Sequence, residues 1–202
     1  MREDNLIMGV QADVMILASN SPRRKDILTS LGIEFEVISS GEEEYSSDRC
    51  FFEHLPIINA KLKSQSVAAR FPCRLVLGAD TVVELDGEIL EKPKDESEAL
   101  NMLMMLSGKR HQVVTGVCLT NISENILTVF SEKSIVEFNL FNRKTAEEYM
   151  DRVYVLDKAG AYAVQEHGDI IIKEIFGSES NVIGLPIEKL LEVPVIAELK
   201  QR

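Results

Sequence analysis

Three cations stand in the first turn of a predicted helix, within the segment 19–25, which reads SNSPRRK. Ser21 suits the N-cap and Pro22 the first helical position, so Arg23, Arg24 and Lys25 fall where the helix dipole is positive. Cations there cost about 0.3–1 kcal/mol each unless an anion lies among them. Because free backbone N–H groups and guanidinium forks suit phosphate oxygens, the segment predicts a phosphate site. Solvated charges on an exposed helix are the alternative.

A single carboxylate, Asp80, follows an apolar segment in the sequence GADT at 78–81. Ligands gather at strand ends in α/β sheets, so Asp80 could be a metal ligand, a general base or a turn-forming residue. Lys92, directly before Pro93, and the carboxylate run 42–44 are by default surface charges. One glutamate of that run could turn inward.

The first elements of the chain favour an α/β fold. A continuous apolar run at 14–18 predicts a buried strand, a helix then runs from Pro22 to a stop at Gly32, and 33–38 predicts a second strand. The next predicted elements are a helix within 51–71 that Pro56 interrupts or delays, strands at 75–77 and 81–83, and a hairpin turn at 86–87 before a strand at 88–90. They are followed by a helix that is capped by Asp95 and ended by Gly108, and by antiparallel strands at 113–120 and 126–138. The series ends with a helix from Thr145 to Val153, a strand at 170–172 and a last helix from Pro186.

Charge and composition narrow the classes of function. The 202 residues include 33 acidic and 22 basic ones, a net charge of −11 that opposes a broad nucleic-acid or anionic-lipid surface. Three distant cysteines, with no signal peptide and no apolar run of about 18 residues, predict a reduced cytoplasmic protein without a membrane anchor. We expect an N-terminal extension over 1–13 and a single domain over 14–202.

Six motifs occur in an order that is found in one known family. They are ILASNSPRR (16–24), GADTVV (78–83), LEKP (90–93), LSG (106–108), DKAGAY (157–162) and GLP (184–186). Over roughly residues 14–192 the chain resembles the Maf family, the septum-formation-inhibitor-like nucleotide pyrophosphatases.

The resemblance implies hydrolysis of a nucleoside triphosphate between the α and β phosphates, with a divalent metal. It also implies an α/β fold with a mixed central sheet, flanking helices and two lobes around a deep cleft, similar to the inosine triphosphate pyrophosphatases, and often a homodimer. The DKAGAY form resembles the subgroup that acts on dTTP and UTP, whereas the 7-methyl-GTP subgroup differs within this motif. Glu166 stands where the family usually has glycine.

Site residues are implied one by one. Asp80, which matches the proton acceptor of the family, and Lys92, which matches the lysine of its EKP motif, are the implied catalytic residues. Lys63 matches the lysine of the second helix and is implied to bind substrate. The remaining implied positions are Arg24, Thr81 and Gln165 for selectivity, Ser19, Ser21, Arg23 and Lys158 for substrate binding, and Glu44 as an acidic metal ligand beside Asp80.

The implied roles agree with simple electrostatics. A triphosphate carries about four negative charges, which the cations would neutralise while Asp80 accepts a proton from water or holds a metal. Mg²⁺ or Mn²⁺ suits a shell of carboxylate and phosphate oxygens. A nucleotide-binding regulator without turnover, a 7-methyl-GTP pyrophosphatase and, more distantly, a nucleic-acid-binding module are the competing hypotheses.

Overall fold

Seven strands form one mixed sheet in the computed structural model, which describes residues 14–46 and 52–200. The strands are β1 (Met15–Leu17), β2 (Phe35–Val37), β3 (Val76–Leu85), β4 (Glu88–Leu90), β5 (Arg110–Asn121), β6 (Ile126–Phe138) and β7 (Ile172–Phe176). Their order is β2-β1-β3-β5-β6-β7, with β4 paired to β3. β1 is parallel to β2 and β3, and the other pairs are antiparallel. The predicted α/β class with a mixed sheet is confirmed.

Seven α-helices accompany this sheet within the described residues. They are α1 (Pro22–Ser30), α2 (Leu55–Arg70), α3 (Glu96–Leu106), α4 (Arg143–Met150), α5 (Glu179–Ile183), α6 (Ile187–Leu191) and α7 (Pro194–Leu199). Short 3-10 helices cover Ala159–Ala161 and Gly168–Ile170. The first of these belongs to the segment 157–165, which carries the DKAGAY motif.

The centre of the sheet differs from the prediction of two strands around the GAD sequence. β3 runs without interruption through Gly78 and Asp80, so Asp80 lies within a strand and the prediction of a strand end was wrong. β3 continues because it pairs with β5 in an unbroken register from Val76 to Glu84, and the glycine allows close packing of α2, since a Cβ on Gly78 would collide with the Ala60 carbonyl oxygen. β1 stops beside Leu77, however, so the sheet opens next to Asp80 on that side.

Several element boundaries also differ. α4 begins before Thr145, because the side chain of Asn142 accepts the Thr145 N–H at 3.1 Å and caps the helix. The predicted strand at 170–172 overlaps the start of β7 only at Ile172, because Ile170 ends the preceding 3-10 helix. α5 and α7 were not predicted. The Asp95 cap of α3 is confirmed, because its carboxylate accepts the Glu98 N–H at 2.8 Å.

Two large apolar clusters form most of the core. One gathers α3, α4 and the adjoining ends of β5 and β6, around Leu103, Phe138 and Tyr149. The other gathers α1, β1, α6 and α7, around Leu28 and Leu185. One cleft is lined by residues from the elements of both clusters. The expected arrangement of two lobes around a cleft therefore follows from the division of the core into two clusters.

The described residues include no helix that is both long and apolar enough to cross a membrane. Cys73 and Cys118 are free thiols, and Cys50 lies outside the described residues. The expected extension over 1–13 also lies outside them.

One core residue makes stability depend on pH. His111 is buried against Phe138 and Tyr162, and burial lowers the pKa of its ring to about 4. The unfolded chain takes up this proton near pH 6.5, whereas the folded protein resists it until about pH 4. We therefore expect the free energy of unfolding to fall by on the order of 3 kcal/mol between pH 7 and pH 4 from this residue alone.

Urea unfolding at both pH values checks this expectation. His111→Gln cannot titrate there, so the variant should lose less stability than the wild type over the same interval. An equal loss in the two proteins would contradict the assignment to His111.

Candidate functional site

The residues implied by the motifs lie around one cleft of about 750 Å³. Those that line it are Ser19, Ser21, Arg23, Arg24, Glu44, Lys63, Asp80, Thr81, Lys92, Lys158 and Gln165. They come from the segment before α1, the start of α1, the segment after β2, α2, β3, the segment after β4 and the segment 157–165. The fold thus brings together positions that are up to 146 residues apart in the sequence, from Ser19 to Gln165.

A buried lysine joins two carboxylates on one wall of the cleft. Lys63 Nζ lies 2.9 Å from Asp80 Oδ1 and 2.8 Å from Glu44 Oε1. The Lys63 and Asp80 side chains are only 8% and 10% exposed, whereas that of Glu44 is 48% exposed. Glu44 therefore turns toward the cleft, as the sequence allowed for one glutamate of the run.

The ionisation of Glu44 reflects this neighbourhood. Burial by itself would raise the pKa of Glu44, but the Lys63 ammonium outweighs that effect and the charge of Lys92 adds to it. The net pKa of Glu44 is lowered, so the carboxylate is charged at neutral pH. Lys92 itself is exposed on the cleft lining, where a cation can meet an incoming anion.

Asn59 is a site residue that the sequence reasoning did not single out. Its Nδ2 donates to Asp80 Oδ2 at 3.1 Å and to the Tyr45 carbonyl at 3.1 Å, and its Oδ1 accepts the Tyr45 N–H at 2.9 Å. One buried amide therefore fixes both Asp80 and the segment that carries Glu44. The sequence contains one indication of this role, because Asn59 and Lys63 are four residues apart on α2 and therefore lie on the same face of the helix.

Arg24 is buried, which excludes the solvated alternative for this residue. Its Nη1 donates to Ser19 Oγ at 3.0 Å, its Nη2 to Thr81 Oγ1 at 3.0 Å and its Nε to the Gly184 carbonyl at 2.9 Å. Burial lowers the pKa of Arg24, although the negative charges of Asp80 and Glu44 oppose that effect. The guanidinium remains charged, so the start of α1 places a fixed cation at the cleft.

At the start of α1, the Ser19 hydroxyl makes side-chain hydrogen bonds, whereas the Ser21 side chain does not cap the helix. The side chain of Ser21 makes no capping hydrogen bond, although Ser21 stands at the predicted N-cap position. Its backbone N–H donates instead to Ser19 Oγ at 3.3 Å. The Ser19 hydroxyl therefore joins the backbone before α1 to the guanidinium of Arg24.

A chain of charges borders the other side of the cleft. Arg23 Nη1 lies 3.3 Å from Asp157 Oδ2, and Lys158 Nζ lies 2.9 Å from Asp157 Oδ1 and 3.2 Å from Glu166 Oε1. Lys158 also donates to the Tyr154 carbonyl at 2.6 Å. All three ammonium donors of Lys158 thus have acceptors within the protein. Gln165 is exposed at the rim of the same segment.

The carboxylates suit a hard divalent cation. Glu44 and Asp80 converge on one ammonium group, so their oxygens face a common position that already attracts positive charge. Mg²⁺ is commonly held by one or two carboxylates together with substrate phosphates and water. Across residues 14–46 and 52–200, no cluster of three or more His, Cys, Asp or Glu side chains is placed to hold a metal ion. A metal here would therefore depend on oxygens from the ligand.

Comparisons with known proteins agree with the motifs. A relative from Clostridioides difficile named dTTP/UTP pyrophosphatase is 43% identical over 87% of this chain and 91% of that protein. One of the same name from Fusobacterium nucleatum is 44% identical over 88% of this chain and 92% of that protein. The match to the solved structure of the Staphylococcus aureus Ham1 protein covers 61% of this chain and 71% of that chain, with 21% identity and a TM-score of 0.43.

The family model described as Maf-like protein matches residues 14–194, which include every candidate residue of the cleft. The relatives are aligned over nearly their whole length as well. This chain belongs to the Maf family.

Proposed function

We propose that this protein hydrolyses the nucleoside triphosphates dTTP and UTP to the monophosphate and pyrophosphate. The observation that carries the proposal is the buried carboxylate of Asp80, held between Lys63 and Asn59 in a cleft that also presents Arg24. A binding protein would need only the cations, whereas a hydrolase also needs an acceptor for the proton of water. The names of the relatives supply the substrate class.

The cations of the cleft neutralise the triphosphate. Arg23 and Lys92 line the cleft from different segments of the chain, and the buried guanidinium of Arg24 adds a fixed positive charge to the same lining. Arg24 uses three of its five N–H donors within the protein, which leaves two for phosphate oxygens. Such preorganised charge stabilises the negative charge that shifts onto the leaving pyrophosphate.

Asp80 accepts the proton of the attacking water. The water oxygen bonds to the α phosphorus, the bond from that phosphorus to the bridging oxygen breaks, and pyrophosphate leaves with the bond electrons. Each Asp80 oxygen accepts one hydrogen bond, from Lys63 or Asn59, so lone pairs remain for the water. Because both donors fix the carboxylate, it is oriented before the substrate arrives.

Glu44 and Asp80 would hold Mg²⁺ or Mn²⁺, because they supply converging hard oxygen donors. When bound, such an ion neutralises phosphate charge and lowers the pKa of a bound water. Lys158, whose donors are all engaged, contributes by holding the segment 157–165 rather than by contacting phosphate. A homodimer and a cytoplasmic location stay predictions.

Base selection falls to the amide of Gln165. An amide carries one donor and one acceptor group, which can pair with the adjacent carbonyl and imide N–H of uracil or thymine. Cytosine presents the opposite pattern, so an amide held in one orientation would leave unpaired polar groups at a cost of about 1–3 kcal/mol each. We expect kcat/KM for dTTP and UTP to exceed that for CTP at least roughly tenfold.

Pyrophosphate release with Mg²⁺ across dTTP, UTP, CTP and 7-methyl-GTP tests both parts of the proposal. Release from none of these would favour a nucleotide-binding regulator, and a preference for 7-methyl-GTP would identify the other subgroup. Equal kcat/KM for CTP and UTP would contradict the fixed amide alone. Gln165→Glu would then change little.

A further inference from the structure

A buried tyrosine and a buried histidine, Tyr149 and His111, contact the segment 157–165 from other elements, and the proposed chemistry uses neither of them. Tyr149, on α4, is fully buried. Its hydroxyl accepts the Ala163 N–H at 2.9 Å and donates to the Ala163 carbonyl at 3.3 Å. Burial raises the pKa of Tyr149 to about 12, so the hydroxyl keeps its proton and can donate. One phenol thus satisfies both backbone groups of one residue.

The segment that Tyr149 holds has a backbone conformation that needs support. Gly160 has φ 69° and Ala161 has φ 61°, which is the left-handed region that a residue with a Cβ rarely adopts. A strained backbone persists when its surroundings fix it more firmly than local preference would. The two hydrogen bonds to Ala163 fix the chain two residues after Ala161.

His111 supplies a second support from β5. Its Nε2 lies 2.8 Å from the Tyr162 hydroxyl, and its ring meets Phe138 edge to face with centroids 4.9 Å apart. Tyr162 and Ala163 line the cleft, and Gln165 follows two residues later on the same lining. The backbone that carries Gln165 is therefore anchored from below by two side chains outside the phosphate site.

We propose that Tyr149 is a positioning residue for base discrimination, with His111 as its companion. The Tyr149 hydroxyl fixes the backbone of Ala163 and so sets where the Gln165 amide stands in the cleft. The inference rests on the proposed function, in which Gln165 meets the base. It adds the part of the protein that fixes the backbone from which the Gln165 side chain extends.

The phosphate site is held by different elements. Asp80, Lys63 and Arg24 belong to β3, α2 and α1, and none of them touches Tyr149 through the hydrogen bonds of this support. Removing the Tyr149 hydroxyl leaves its ring in the apolar cluster and deprives only Ala163 of its partners. Loss of the Tyr149 hydroxyl should therefore weaken the selection between bases more than it slows hydrolysis of the triphosphate.

Tyr149→Phe is the variant that tests the inference, and Tyr154→Phe is the matched control. Tyr154 is 67% exposed, and the same change there removes an outer hydroxyl. For Tyr149→Phe we expect the ratio of kcat/KM for UTP to that for CTP to fall at least fivefold. We expect kcat for UTP to stay within threefold and the Kd of inorganic pyrophosphate to stay within twofold. Tyr154→Phe should match the wild type in all three.

His111 provides a test with a built-in rescue. His111→Leu removes the partner of the Tyr162 hydroxyl and should lower the same ratio, whereas His111→Gln can keep a hydrogen bond there and should restore it. An unchanged ratio in Tyr149→Phe would overturn the inference. Parallel losses of kcat and pyrophosphate affinity would also overturn it, because they would mean a general structural role.

Hydrogen exchange separates this inference from the proposed function. Without any nucleotide, Tyr149→Phe should speed amide exchange at 161–165 at least tenfold and leave the amides of β3 unchanged. If the wild type releases no pyrophosphate, the proposed function fails while this exchange result still supports or overturns the anchoring role. If the wild type turns over UTP and CTP alike, the role in base discrimination is overturned.

Discussion

Replacement of Asp80 by asparagine is expected to lower kcat for pyrophosphate release at least about 100-fold, the loss that follows removal of a general base. The amide has no basic oxygen that could take the proton of water. The nucleotide should still bind, because the cations Arg23 and Lys92 remain in the cleft. Steady-state pyrophosphate release measures kcat, and calorimetry with inorganic pyrophosphate measures the retained affinity.

The same change also disturbs the resting site. Asp80 accepts from Lys63 Nζ on one oxygen and from Asn59 Nδ2 on the other, so the new amide must turn an N–H toward a donor. Asn59 cannot turn to compensate, because both ends of its amide are bound to the backbone of Tyr45. We therefore expect a lower melting temperature together with the lower kcat.

Asp86→Asn is the matched control. Asp86 stands in the turn after β3, its side chain is 74% exposed, and it pairs with Lys109 at the surface. Asparagine tolerates its positive φ of 54°, so this variant should keep the wild-type kcat. Near-normal kcat in Asp80→Asn would contradict both roles considered for that carboxylate.

The sequence patterns correctly predicted the parts of this fold that are determined by residues close together in the sequence. The Asp95 cap, the hairpin turn at 86–87 and the long antiparallel pair of β5 and β6 are all marked by local residue types. The continuity of β3 was missed because Gly78 and Asp80 interrupt its apolar pattern. That continuity depends on α2 packing over Gly78 and on pairing with β5, which are contacts between distant segments.

The candidate site was predictable to a similar extent. The motif resemblance identified the residues expected to bind phosphate and the two carboxylates of the site, and all of them line the cleft. The burial of Arg24 could not be deduced, because its acceptors Thr81 and Gly184 lie 57 and 160 residues away in the sequence. Asn59 was missed because its spacing of four residues from Lys63 indicates a shared helix face but does not distinguish a buried anchor from an exposed side chain.

Arg24→Ala is expected to raise KM about tenfold or more, lower kcat and destabilise the protein. The cost to stability arises because the Gly184 carbonyl loses its donor and the hydroxyls of Ser19 and Thr81 lose a charged partner. Hydrogen bonds to charged groups contribute about 1.5–3 kcal/mol each to stability, but water that enters from the cleft can replace part of these interactions and reduce the loss. We expect a loss of about 2–4 kcal/mol, which lowers the melting temperature by roughly 5–15 °C.

Arg143→Ala distinguishes this expectation from simple relief of the helix dipole. Arg143 is also a cation at a helix start, the first residue of α4, but its side chain is 71% exposed. Removing it should leave KM unchanged and alter the melting temperature little, since exposed charges at helix ends contribute only tenths of a kcal/mol to about 1 kcal/mol. If Arg24→Ala behaved like Arg143→Ala, the guanidinium would have no part in binding phosphate.

Arg24→Lys then separates charge from geometry. A lysine keeps the positive charge at the start of α1, but its compact ammonium cannot reproduce the fork that joins Ser19, Thr81 and the Gly184 carbonyl. If charge alone serves the substrate, KM should return close to the wild-type value while the melting temperature stays low. If the fork also orients the phosphates, kcat should remain depressed in Arg24→Lys, because the two N–H groups left free by the three internal bonds are fixed in direction only by that fork.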